Sequence, residues 1–88
     1  METMNVTVYG PLRSASGGKN AEIGFSGGTV EEAIAVFAET YPRAEPQLYD
    51  GNDIRSSVRV TVDGETASFE DPCPPDATLT LHPAVQGG

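Results

Sequence analysis

The sequence has no tryptophan, one cysteine, one histidine and one lysine in 88 residues. A lone cysteine, Cys73, cannot close an intramolecular disulfide, and the chain is expected in a reducing cytoplasm. No apolar run approaches the roughly 18 residues that span a bilayer. Met1-Glu2-Thr3-Met4 has neither the basic region nor the apolar core of a signal peptide. Positive charge is scarce as well. Five Lys and Arg stand against thirteen Asp and Glu, for a net charge of -8. Such a surface repels nucleic acid and attracts a basic protein partner. It also suits a cytoplasm of molar salt, where screening removes self-repulsion. The acidic residues are scattered, which argues for a solvated face and against a metal site. At this length the chain makes one domain with a small core and little room for an internal catalytic pocket.

What is present begins with Asn5-Val6-Thr7-Val8-Tyr9, an alternating β-branched strand with Met4, Val6 and Val8 on its core face. Gly10-Pro11 ends it, Leu12 packs beneath, and Ser14 to Asn20 reads as a hairpin turn. Gly17-Gly18-Lys19 is no phosphate loop: Asn20 and a strand follow where Ser or Thr and a helix are required. Ala21-Glu22-Ile23-Gly24-Phe25 is the second strand. Thr29-Val30-Glu31-Glu32 is a capping box that opens a helix running to about Thr40. Val30, Ala33, Ile34 and Phe37 fall on one helical face. Tyr41-Pro42 stops the helix. Arg43 to Ser56 has weak periodicity, with one short turn expected around residues 44–48 and Leu48, Tyr49 and Ile54 as anchors. Ser57 to Val62 is the strongest strand. Asp63-Gly64 signals a type I′ turn, which brings Glu65-Thr66-Ala67 back against it. Ser68 to Asp76 is a proline-rich connection in which Cys73 touches solvent. Thr78 to His82 is the last strand, and Pro83 ends it. One helix with this set of strands predicts an α+β fold: a mixed four- to five-stranded sheet with the helix packed on one face.

The order and the residues resemble the ubiquitin-like β-grasp family of small sulfur carriers. These are the MoaD and ThiS proteins and the small archaeal modifier proteins related to them. Four segments carry the likeness: the first strand with Gly10-Pro11-Leu12-Arg13; Thr29-Val30-Glu31-Glu32-Ala33-Ile34; Val58-Arg59-Val60-Thr61-Val62-Asp63-Gly64-Glu65; and Leu81-His82-Pro83-Ala84-Val85-Gln86-Gly87-Gly88. The sequence departs from the family at Pro74-Pro75-Asp76-Ala77, His82, Ala84 and Gln86, where an acidic turn, an aromatic, a proline and a small polar residue are usual.

The resemblance implies a domain over residues 1–83 and a flexible tail over 84–88. It implies that the Gly88 carboxylate is adenylated with ATP by a separate activating enzyme of the ubiquitin-activating, MoeB or ThiF type. A thiol and then a target lysine give an isopeptide bond; a persulfide gives a thiocarboxylate. Gly87 and Gly88 are then the attachment residues, with Pro83, Ala84, Val85 and Gln86 read by the partner. The chain itself is a substrate, expected to be a monomer without a bound cofactor, a metal or a catalytic group. Ending at Gly88, it is expected to need no longer precursor. Arg59, Thr61, Thr80 and His82 lie on the sheet face opposite the helix and form a candidate partner face. Lys19 is the one candidate acceptor in the chain itself. The alternatives are a dedicated sulfur carrier, as for thiamine, tRNA thiolation or a molybdopterin synthase large subunit, and a β-grasp module that binds partners non-covalently. The tail-flanking changes and the acidic surface favour the modifier.

Overall fold

Alternation of burial in Thr3–Val8 marks β1, whose Met4, Val6 and Val8 turn inward while Asn5 and Thr7 turn out. The structure, a computed structural model, describes residues 3–55 and 58–82. After β1 comes α1, Pro11–Ser16, where a turn was expected. Proline stands in its first turn, where a missing amide costs nothing, and Leu12 is fully buried beneath it. Six residues with a single apolar anchor leave no helical periodicity to read, so the sequence shows only a polar, glycine-rich stretch. The second strand, β2, is Asn20–Gly24 and runs antiparallel to β1, with Val6 opposite Ala21.

A two-residue strand, β3 (Gly28–Thr29), leads into the main helix, α2 (Val30–Thr40). The capping box is made: the Glu32 amide donates to the Thr29 hydroxyl at 3.2 Å, and the Thr29 amide donates to the Glu32 carboxylate at 2.8 Å. The Val30 and Glu31 amides donate to the Asp71 and Phe69 carbonyls at 2.9 and 2.8 Å. A distant loop thus satisfies the helix-start donors that the cap leaves over. Gly28 has φ 151°, where a side chain is strained, and a Cβ there would push the Glu32 carboxylate out of the capping box.

A 3-10 turn (Pro42–Ala44) and a one-turn helix, α3 (Glu45–Leu48), follow, matching the expected turn. The two-residue strands β4 (Tyr49–Asp50) and β5 (Asp53–Ile54) then form a small hairpin. β6 (Arg59–Val62) and β7 (Glu65–Ala67) make the predicted hairpin, and the first residue expected in it, Ser57, lies outside the described residues. Asp63 and Gly64 have φ 53° and 86°, the two positive values a type I′ turn demands. Asp63 also ties the turn to the last strand: its carboxylate accepts from the Thr78 amide and its amide donates to the Thr78 carbonyl, both at 2.9 Å.

β8 (Pro72–Cys73) pairs with β3, and β9 (Thr78–His82) closes the main sheet. The sheet has five strands in the order β2-β1-β9-β6-β7, with β1 and β9 parallel and the other pairs antiparallel. Val30, Ala33, Ile34 and Phe37 of α2 share the core with Val6, Val8, Leu79 and Leu81 of the central strands. Cys73 belongs to that core: it is 1% exposed, with its Sγ 3.6 Å from the Met4 sulfur. This corrects the expectation of a solvent-touching thiol. Pairing of β8 with β3 turns the side chain inward, and a two-residue pairing so far apart in sequence leaves no local pattern.

Candidate functional site

With α2 on one side, the sheet's other side is left to the outward positions of each strand, and pairing register decides which of them meet. Arg59 lies opposite His82, and Thr61 opposite Thr80. The four residues of the candidate face are therefore neighbours across β6 and β9. Thr80 also pairs with Thr7, Thr7 with Asn20, and Thr61 with Thr66. Threonine accordingly crosses four strands in one line, with Asn20 on the fifth. β-branched side chains suit strands, and their hydroxyls keep this face wettable.

His82 lies beside this line, two residues on from Thr80 at the end of β9. It stacks on Tyr9 with ring centroids 4.7 Å apart and planes 6° off parallel. Tyr9 is 38% exposed, and the ammonium of Lys19 sits 5.6 Å from its ring centre. Sequence reasoning placed neither Tyr9 nor Lys19 on this face. The signal was there: with Val6 and Val8 inward, Thr7 and Tyr9 must point outward. Lys19, the candidate acceptor, is exposed.

Beside this line the β6–β7 hairpin holds a groove of about 510 Å³, lined among others by Arg59, Thr61, Thr66, Ser68, Phe69 and His82. The walls offer hydroxyls, a guanidinium and one half-buried aromatic ring. That set can hold a peptide segment. Among the described residues no group of three or more His, Cys, Asp or Glu is placed to hold a metal ion. No helix among them is long and apolar enough to cross a membrane. Burial, with the Asp63 charge second, pushes the Cys73 thiol up, so the chain's only thiol is held protonated in the core.

The sequence continues from His82 into Pro83, Ala84, Val85, Gln86, Gly87 and Gly88. These residues, the expected tail and its attachment point, lie outside the described residues.

No protein-family model and no curated protein matches the sequence. Solved structures do. The chain is similar to the crystal structure of small archaeal modifier protein 1 from Haloferax volcanii, with 18% identity and a TM-score of 0.87 over 97% of this chain and 100% of that one. It is similar to the solution structure of small archaeal modifier protein 1 from Methanosarcina acetivorans, with 17% identity and a TM-score of 0.81 over 100% and 98%. It is also similar to a chain of the BexX/CysO complex from Amycolatopsis orientalis, with 27% identity and a TM-score of 0.75 over 97% and 99%. The fold is thus the ubiquitin-like β-grasp of small modifier and carrier proteins.

Proposed function

We propose that the chain is a ubiquitin-like modifier that enters chemistry as a substrate, through the carboxylate of Gly88. The observation that carries this reading is the end-to-end likeness to small archaeal modifier protein 1, in a sequence that runs from β9 into Gly87-Gly88. Glycine suits the final positions because the lack of a Cβ lets the peptide enter a narrow channel.

A carboxylate is a poor electrophile until its oxygen carries a good leaving group. One carboxylate oxygen of Gly88 attacks the α-phosphorus of ATP on the partner enzyme, and pyrophosphate leaves. A thiolate then adds to the acyl carbon and AMP leaves. A target lysine amine displaces that thiolate, and the C–N bond completes an isopeptide. The protein supplies recognition of the partner, and the partner supplies the catalytic groups.

The thiocarboxylate route shares the first step. A persulfide adds in place of the thiol, giving an acyl disulfide, and a second thiol cleaves its S–S bond. The products are the Gly88 thiocarboxylate and a disulfide of the two thiols. The likeness to a chain crystallised as part of a two-protein complex supports a separate partner for either route.

Tagged protein produced in its own host separates the two fates. A modifier yields high-mass adducts whose tryptic peptides carry the tail on lysine, and these vanish when Gly88 is deleted. A carrier yields free protein with one oxygen replaced by sulfur. Adducts that persist without Gly88 would sink the modifier route, and neither product with activating enzyme and ATP present would sink both.

A further inference from the structure

The open face has a charge order that the net charge hides. Pairing register sorts its side chains into three cross-strand rows. The middle row, Asn20, Thr7, Thr80, Thr61 and Thr66, is uncharged. Toward the start of β9 lies a row of Glu22, Asn5, Thr78 and Asp63, where Asp63 is joined to Thr78 by the two turn hydrogen bonds. Toward the end of β9 lies a row of Lys19, Tyr9, His82 and Arg59, fixed by the ring stack, the ammonium over the ring and the Arg59–His82 pairing. In these rows the anions stand at one end and the cations at the other. Four residues of strand separate them, about 13 Å at about 3.3 Å each. Screening at physiological ionic strength reaches about 8 Å, so the two ends act as separate surfaces.

The whole chain, at -8, attracts a basic partner. This corner has the opposite sign, and it carries Tyr9, the exposed large apolar residue among the described residues, with the Phe69-lined groove alongside. We propose that the Lys19, Tyr9, His82 and Arg59 row docks an acidic segment of the partner protein, with its carboxylates on Lys19 and Arg59 and an apolar side chain in the groove. A short acidic peptide fits the local charge. A nucleic acid strand does not, because it also meets the field of the whole acidic chain. In taking the activating enzyme as that partner, the inference rests on the proposed function, and the test has one arm that does not.

The independent arm is an amide-shift titration of the folded protein with three probes: a Glu-rich peptide containing one leucine, the same peptide with Lys for Glu, and an oligothymidylate. The acidic peptide should move the amides of Tyr9, Lys19, Arg59 and His82 and lose affinity as salt rises. Reversing both charges, Lys19→Glu with Arg59→Glu, should weaken it about tenfold, as two reversed surface pairs allow. Arg43→Glu, on the 3-10 turn, should leave it unchanged. The inference is overturned if the basic twin or the oligonucleotide binds as well, if the shifts map elsewhere, or if no probe binds. The second arm measures adenylation by the host's activating enzyme. The double variant should raise KM with kcat kept, whereas an unchanged KM counts against the row. If wild-type protein is not adenylated at all, the proposed function fails, and the titration still decides the docking face.

Discussion

Cys73 shows how one side chain's setting decides its chemistry. Its thiol belongs to the core: 1% exposed, against the Met4 sulfur, with its pKa raised first by burial and then by Asp63. Thiolate is the reactive form. Folded protein at pH 8 should therefore resist iodoacetamide and react promptly once unfolded, a comparison that mass spectrometry reads directly. The pH sense follows from the same shift. Above the ordinary thiol value of 9.0 the unfolded chain gives up this proton while the folded chain keeps it. Stability present at lower pH is then lost as pH climbs toward the folded value. Tyr49 adds to this, raised by burial and then by Glu31, Glu45 and Glu39. Melting temperature should fall on the alkaline side, and Cys73→Ala should flatten part of that fall. A melting curve independent of pH from 8 to 11 would contradict both assignments.

Helix α2 is the element on which the sheet closes, and its first turn is where local and distant sequence meet. Thr29→Ala removes the hydroxyl that accepts from Glu32 and should cost about 1 kcal/mol in a denaturant melt. Gly28→Ala should cost more, because its Cβ takes the place of the Glu32 carboxylate and so breaks the other half of the box. Equal melting of Gly28→Ala and wild type would remove that argument. The box was legible because Thr29 and Glu32 lie three residues apart. The Asp63-Gly64 turn was legible for the same reason, since the two positive φ angles sit on the two residues that named it. The outward sides of Arg59, Thr61, Thr80 and His82 were legible once alternation set their parity; their two pairings, Arg59–His82 and Thr61–Thr80, come from the register. Helix α1 and the β3–β8 pair were not, one being too short to show a period and the other joining residues more than forty apart. Tyr9 was readable by parity, but its partners His82 and Lys19 depend on which strands are neighbours, and that is a property of the sheet.

At the scale of the molecule, charge and fold make separate claims. With a net charge of -8 the surface repels itself, and salt relieves this. Melting temperature should rise between dilute buffer and molar KCl; a flat or falling response would remove support for adaptation to high salt. The fold, an end-to-end β-grasp, places Arg59, Thr61, Thr80 and His82 on one face, and the sequence runs on from His82 into Pro83. The central claim is that the chain is activated through Gly88. ATP–pyrophosphate exchange by the host's activating enzyme tests it most directly. The account predicts exchange that depends on added protein and disappears when Gly88 is removed, with the rest of the fold intact by circular dichroism. Exchange that survives that deletion, or none with wild-type protein at saturating enzyme, would contradict it.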